Sequence, residues 1–570
     1  MSDAQPIRWL FGPFELAPDR GRFSSGGSEI ALTRKSFEVL VHLIRHRERM
    51  VSKAELLATV WSDVVVSDAA LASAIRDLRR ALGDAGKRSR FIATVRGRGL
   101  RFVHEVREVP DEADEARSGA WDAAAVHFER ALRALEMIDD SRGVARGAPG
   151  VAAPRERGEL IVALARSRWA AGATDEAKKA FLDAARMARS AGDAEVLGQA
   201  ALGFVGRTDV TPGVNREAAA LLEEALEALA ELDSVLRAEL LARLGTELYY
   251  DEDLSRSDRL TQEALAMAER IGDPAVIAYA SNARHFACAR PEFAPQERLP
   301  LTERVLSLIG DGPPSDVLAL ALHGRMVDLL EMGDGAAFEE TFGRYEKVTE
   351  ALGQPFFHWL LSLFRGTRAL LAGRVEEAEE LAHATLAIGL RVGTPNAEGA
   401  FAGQLFGLRR EQGRLAELTP ALDQLAQRHR ALPIYRAALA AVLAASGERE
   451  EARAALEDVM SQDLDDFPRD QNWIATLGTL APAVAAAGSE WRIRQLSEFL
   501  HPYAGRMIVV GQGATTHGAV SHHLGVLHAA LGEQETAQRH FAEAEALHER
   551  AHAPLWLALT RHARAQKIPS

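Results

Sequence analysis

A glycine followed by small or apolar residues at positions +5, +9 and +12 recurs through most of this chain, and no other feature narrows its fold as far. Gly119 is followed by Ala124, Phe128 and Ala131, Gly172 by Ala177, Phe181 and Ala184, and Gly532 by Ala537, Phe541 and Ala544. Weaker copies start at Gly333 (Phe338, Phe342, Tyr345), Gly373 (Ala378, Ala382, Thr385), Gly413 (Leu418, Leu422, Leu425) and Gly447 (Ala452, Leu456). Steps of four and three keep those residues on one face of a helix. The glycine supplies the bend before that helix, the alanine lets it approach its neighbour, and the larger residue fills the groove. Such hairpins cannot bury their apolar faces alone, so the pattern predicts an all-α solenoid over 117–570, each unit packed only on its neighbours. Gly192-Asp193, Gly272-Asp273-Pro274 and Gly393-Thr394-Pro395 mark joints between hairpins. Residues 141–158 have no helical period and are rich in Gly, Pro and Arg, which predicts an irregular loop.

Charge divides the chain differently. The net charge is -14, yet residues 1–106 hold 18 Lys+Arg against 12 Asp+Glu, a net of +6, leaving 49 against 69 for the rest, a net of −20. A basic head on an acidic body points to an anionic partner for the head alone. The single cysteine, Cys288, excludes a disulfide framework and fits a reducing compartment. No basic, then apolar leader opens the chain, and the apolar run Ala437–Ala445 is far shorter than the ~18 residues of a membrane span. The expectation is a cytoplasmic protein with no membrane partner.

Within the head, Gly12-Pro13, Pro18, Gly21 and Gly26-Gly27 punctuate short apolar runs at Ile7–Leu10, Phe14–Leu16 and Glu29–Leu32, which predicts strands. Thr33 then caps a helix with Phe37, Leu40, Val41 and Ile44 at helical spacing. Ser52 caps a second helix, with Glu55 completing a capping box and Leu56, Leu57 and Val60 on its apolar face. Ser67 or Asp68 caps a third, with Leu71, Ile75, Leu78 and Leu82 on one side, Ser73, Arg76, Asp77, Arg79 and Arg80 on the other, and Gly83 as its stop. Phe91–Val95 and Leu100–Val103 flank Arg96-Gly97-Arg98-Gly99, which predicts a hairpin with arginines at its tip.

Three segments in this order, LTRKSFEVLVHLIRHRERMVSKAELLATVW, SDAALASAIRDLRRALGD and FIATVRGRGLRFV, make the first 106 residues resemble the OmpR/PhoB-type effector domain of bacterial transcription regulators. The fold class is thus a small α/β winged helix-turn-helix head, residues 1–106, an acidic linker, 107–116, and a tetratricopeptide-like solenoid, 117–570. The resemblance implies double-stranded DNA as partner. It puts Ala70, Ser73, Ala74 and Asp77 toward bases, Arg76 and Arg80 on bases or phosphates, Trp61 and Thr94 on the backbone, and Arg96 and Arg98 in the wing contacts. Many members carry an arginine where this chain has Asp77, whose carboxylate accepts from cytosine N4 and weakens binding near phosphates. Leu100 replaces the usual aromatic of the wing. No receiver domain precedes the head, so the expectation is regulation without receiver phosphorylation.

From about Leu240 the body is similar to the helical repeats that follow the NTPase module in LuxR-type and cyclase-linked bacterial signalling ATPases. The residues concerned are Ile277–Ala280 with Asn282–His285, Gln354–Phe356, Leu408–Arg414, Pro468–Asp470 with Trp473, and Pro502–Arg506. No GxxxxGK[ST] occurs, so no nucleotide hydrolysis is expected here. Phe356, Trp359, Arg469, Asp470 and Trp473 are candidates for a concave ligand or partner surface. Gly511 and Gly513 are candidates for an anion loop ahead of a helix near Ala519, against the plainer reading of a non-helical wedge. Nine of 18 histidines lie beyond residue 500, spaced as inter-helix residues rather than metal ligands. No nucleophile–base–orienter set is present. The expectation is a regulator with no enzymatic activity, no metal and no cofactor, acting on DNA as a dimer with RNA polymerase as a further partner. Its body would sense a peptide, protein or small molecule. The rival reading is an interaction scaffold whose head does not act on DNA.

Overall fold

The computed structural model of the chain describes residues 7–12, 14–17, 22–25, 28–30, 32–47, 49–60, 68–82, 84, 90–95, 99–104, 106–110, 123–135, 154–171, 173–206, 213–251, 253–310, 312–461 and 463–565. It divides into two compact units, Met1–His127 with Ser167–Ala173 and Phe128–Arg166 with Thr174–Ser570. Trp61, Gly83, Arg96, Arg98 and the segments 111–116 and 141–153 lie outside the described residues.

In the head the order is β1 Ile7–Phe11, β2 Phe14–Ala17, β3 Arg22–Ser25, β4 Ser28–Glu29, α1 Arg34–Arg45, α2 Lys53–Val60, α3 Asp68–Ala81, β5 Ile92–Val95, β6 Gly99–Phe102 and β7 Arg107–Pro110. Five strands form one antiparallel sheet in the order β4-β3-β2-β1-β7, and β5 pairs with β6 as the wing. Two corrections follow. Residues 22–25 form a strand outside the expected runs, and of the run Glu29–Leu32 only Glu29 lies in a strand, Ser28–Glu29. Arg107–Pro110, expected as linker, pairs with β1, so the sheet runs past residue 106. Alternation buries Trp9 and Phe11 from β1 and Phe14 and Leu16 from β2. They join Leu40, Leu43 and Ile44 of α1 and Leu71, Leu78 and Leu82 of α3 in one core, where Phe11 and Phe102 meet edge to face at 5.1 Å. Leu100 is buried there too, so the wing packs without the missing aromatic.

The caps are as expected at Thr33, whose Oγ1 accepts from the Ser36 N–H, and at Ser52, whose Oγ accepts from the Glu55 N–H at 3.0 Å. The reciprocal half of the Ser52 capping box is absent. The Glu55 carboxylate instead receives both ends of the Arg49 guanidinium, at 2.8 and 2.5 Å, and the His42 ring at 3.2 Å. Arg49 holds the Glu55 carboxyl down at about 2.

The body is helical from 123–135 through Pro554–Ala565, broken by short 3-10 turns and by one hairpin, β8 Met507–Val510 and β9 Thr515–Ala519. Pro154 opens the helix Pro154–Ala170, so residues 154–158 are helical rather than loop. Ala177, Phe181 and Ala184 are buried, as are Phe338, Phe342 and Tyr345, and Ala537, Phe541 and Ala544. Gly373 and Gly447 adopt φ of 76° and 79°, the left-handed bend that the repeat requires of its glycine. The copy after Gly119 departs, for Ala124, Phe128 and Ala131 are only half-buried.

Packing between nearest neighbours alone does not hold. Leu322, Phe338 and Phe364 share a core with Met507, Leu547 and Trp556. Gly333 packs under Leu547, Thr367 Oγ1 donates to the Gly513 carbonyl at 2.9 Å, and Arg506 reaches Glu331 at 3.1 Å. The β8–β9 hairpin provides much of this link. Its glycines break the helical repeat, and its buried face covers helices some 150 residues earlier in the chain.

Candidate nucleic-acid interface

α3 has two faces set by its period. Leu71, Ala74, Leu78 and Leu82 lie on the stripe of threes and fours that enters the core, whereas Ser73, Arg76 and Arg80 are exposed. Ala74 is therefore corrected from a base-facing residue to a core residue. It sits three after Leu71 and four before Leu78, it is 5% exposed, and its carbonyl accepts from the Ser36 hydroxyl of α1 at 3.4 Å. Ala70 lies in the first turn of α3. Asp77 is half-buried and stands 3.7 Å from the Arg80 guanidinium one turn on, so its charge is partly offset.

Arg79 leaves this face for the wing. Its Nη2 donates to the Ile92 carbonyl at 3.0 Å and to the Thr94 hydroxyl at 2.8 Å. Thr94 is exposed but already accepts this bond. Asp84, 3% exposed, fastens the other end: its carboxylate accepts from the N–H groups of Arg90, Phe91 and Ile92 at 2.6, 3.2 and 2.9 Å. Gly99 has φ +129°, and a Cβ there would lie 2.1 Å from the Val51 carbonyl oxygen, because Val51 and Leu100 exchange both backbone bonds at 2.8 Å. The wing is thus fixed to the end of α3 and to the start of α2. Sequence reading puts Arg79 on the polar face of the helix and Gly99 at the hairpin tip without this anchoring role, and passes over Asp84; a carboxylate just after a helix and a second glycine at the base of a hairpin are the signals available.

His42, His46 and Glu55 bring ligand-type atoms within 4.8 Å of one another. Arg49 and His42 already occupy the Glu55 oxygens, and His46 Nδ1 bonds the His42 carbonyl at 2.9 Å. The donor set is thus committed to holding α1 against α2.

The body's candidates separate. Trp359 and Trp473 are 4% and 2% exposed and belong to hydrophobic cores, half-buried Phe356 packs on the first of these, and the only cavity beside Trp473 among those described is about 10 Å³. Arg469 lies over the Trp473 ring at 4.8 Å and bonds Asp465 at 3.1 Å. The anion loop is also corrected. The Gly511 N–H is taken by Asn472 Oδ1 at 2.9 Å, the Gly513 N–H by the Gly511 carbonyl at 2.8 Å, and a Cβ on Gly513 would strike Phe364 at 2.5 Å. Asp470 and Gly511 do come together, on a cavity of about 240 Å³ that also draws on the helices Pro274–Ala287 and Asp316–Met332. The C-terminal histidines serve packing: His548 Nε2 accepts from the Ala519 N–H at 2.8 Å and His523 meets the His517 carbonyl at 2.7 Å.

Residues 27–102 match the family model described as transcriptional regulatory protein, C terminal. Phosphate regulon transcriptional regulatory protein PhoB of Klebsiella pneumoniae is 38% identical over 88 residues, 15% of this chain and 38% of that protein. Transcriptional regulator HilA of Salmonella typhi is 34% identical over 99 residues, 17% of this chain and 18% of that protein. The chain therefore spans well under half the length of these curated relatives. Among solved structures, the DNA-binding domain of Escherichia coli CadC is 27% identical and covers 19% of this chain and all of that one, with a TM-score of 0.17. A signal-transduction ATPase with a tetratricopeptide repeat sensor from Pyrococcus horikoshii is 16% identical over 79% of this chain and 65% of that one, with a TM-score of 0.39. Among the described residues no helix is long and apolar enough to cross a membrane. The N-terminal segment of this chain is an OmpR/PhoB-type winged helix-turn-helix domain of the transcriptional regulator family, joined to a body of helical repeats.

Proposed function

We propose that this chain is a cytoplasmic transcription regulator that grips duplex DNA through its head and receives an effector through its body. The carrying observation is the exposed face of α3. It presents Ser73, Arg76 and Arg80, with Asp77 at its edge, beside a wing that Arg79, Asp84 and Gly99 hold at a fixed angle. A rigid polar helix face of this width fits a major groove, and a wing bearing Arg96 and Arg98 supplies phosphate contacts. Asp77 then sets an unusual preference, accepting from cytosine N4 while Arg80 offsets its repulsion from phosphate. The body offers a built cavity, the feature a receiver of an effector needs.

Selection of bound sequences from a random duplex pool by the full chain tests this reading. Arg96→Ala with Arg98→Ala should weaken binding to every sequence about equally, and Asp77→Asn should change the selected bases. A full chain that enriches no duplex sequence contradicts the proposal and favours a scaffold.

A further inference from the structure

The cavity of the body is walled by residues distant in sequence: Tyr279 and Asn282 from one helix, His323 and Val327 from a second, Asp470 and Ile474 from a third region. At about 240 Å³ it is larger than the ~150 Å³ apolar cavity that accommodates benzene. Three arginines reach it, and each already bonds a carboxylate. Arg243 pairs with Glu247, Arg290 bonds Asp258 at 3.2 Å, and Arg298 bonds Asp328 at 2.8 Å and also Glu331. Asp316 sits in the first turn of its own helix, where N–H groups and the helix dipole offset a carboxylate.

Asp470 has only one such N–H, that of Asn472 at the start of the helix Trp473–Ala487, and no cationic partner among the described residues. It is 6% exposed, and its carboxylate accepts that N–H at 2.8 Å. Burial pushes its carboxyl up to about 6, so at neutral pH it is an anion held out of water. His323 is 5% exposed, and neither ring nitrogen has a partner among the described residues. Burial pushes its pKa down to about 4, which makes it a neutral ring with one donor and one acceptor unused. Buried polar groups of this kind are normally satisfied. What they lack in common is a cationic donor for Asp470 and a hydroxyl-like group for His323. The same lining includes Tyr279 and Phe286, which suit a flat apolar body, and an aromatic ring face also attracts an ammonium.

We propose that this cavity binds a small arylalkylamine, its ammonium donating to the Asp470 carboxylate, its ring against Tyr279 and Phe286, and a hydroxyl bonded to the His323 imidazole. The assignment rests on the reading of the body as the part that receives an effector, and it names the chemistry of that effector.

Calorimetric titration of the full chain with three probes of one shape tests it: tyramine, the neutral alcohol tyrosol, and the anion 3-(4-hydroxyphenyl)propanoate. Tyramine should bind at least about tenfold more tightly than tyrosol, the margin of a charge-assisted bond to a buried carboxylate, and the anion should not bind. Asp470→Asn should remove the advantage of tyramine over tyrosol, and His323→Phe should weaken both alike. Ile474→Trp, which fills the cavity from its apolar wall, should remove all binding. Absence of tyramine binding, equal affinity for the three probes, or a tyramine preference that survives Asp470→Asn overturns the assignment. DNA affinity of the same chain, with and without tyramine, separates the two readings. Amine binding that leaves DNA affinity unchanged contradicts the effector reading and spares the cavity chemistry. Intact DNA binding without amine binding contradicts the cavity assignment alone.

Discussion

On α3 of the head, Arg76 and Arg80 stand in solvent, with Asp77 3.7 Å from the second. In the body, Arg298 is 4% exposed and is held by Asp328 and Glu331, while Arg506 bonds the same glutamate at 3.1 Å. Both regions use arginine, but for opposite ends. An exposed guanidinium costs little to keep in water and is available to an external anion. A buried one is tolerable only when fully paired, and it then fixes which elements sit together. The contrast is between head arginines left to solvent and a buried arginine cluster of the body that joins distant helices.

Breaking the buried side should have the larger effect. Arg298→Ala leaves the buried Asp328 to His285 and Glu331 to Arg506, and should destabilise the body by about 3–5 kcal/mol, read from its denaturant transition. Arg80→Ala should leave the head's stability within about 0.5 kcal/mol. If the two changes cost the same, the contrast fails.

Acid should separate the regions next. The unfolded chain protonates its histidines near 6.5, whereas burial holds His323 and His523 at about 4 and His548 at about 3. The unfolded state thus binds more protons below 6.5, and the body loses stability as the pH falls from 6.5 toward 4. Asp470 acts oppositely between 6 and 3.8, as does Glu239, which burial also raises, but they are outnumbered by the three histidines and by His517 and His522, which burial lowers as well. In the head, Glu55 falls from 4.5 to about 2 on folding, so its contribution is lost only as the pH drops below 4.5. Calorimetry at stepped pH should show the body's transition falling first; a head that melts first contradicts this.

Two smaller changes test the wing. Asp84→Ala leaves three N–H groups without their acceptor and should destabilise the head by about 2–3 kcal/mol. Ser52→Ala removes one cap bond and should lower the head's stability by about 1 kcal/mol. Thermal melting of the full chain, followed on the head transition, reads both.

What sequence could show follows the same division. The three helices of the head, its wing and the Ala-Phe-Ala faces of the repeats are local patterns, and periodicity reveals them. Ala74 was placed on the wrong face because one helical position separates Ser73, toward solvent, from the stripe through Leu71 and Leu78. Asp84 and Gly99 act through backbone groups of other elements, Ile92 and Val51, which no local window contains. The cavity joins Tyr279, His323 and Asp470 across nearly two hundred residues, and the link that closes it depends on the β8–β9 hairpin. Trp359 and Trp473 fit the commoner role of aromatics at helical spacing, which is to fill a core.

The central claim, that the head's exposed arginines grip nucleic acid, is tested most directly by titrating salt against the affinity of the full chain for duplex DNA. If Arg76, Arg80, Arg96 and Arg98 each neutralise a phosphate, affinity should fall by about a hundredfold between 50 and 200 mM salt. Affinity that is absent at low salt, or that does not change with salt, would contradict it.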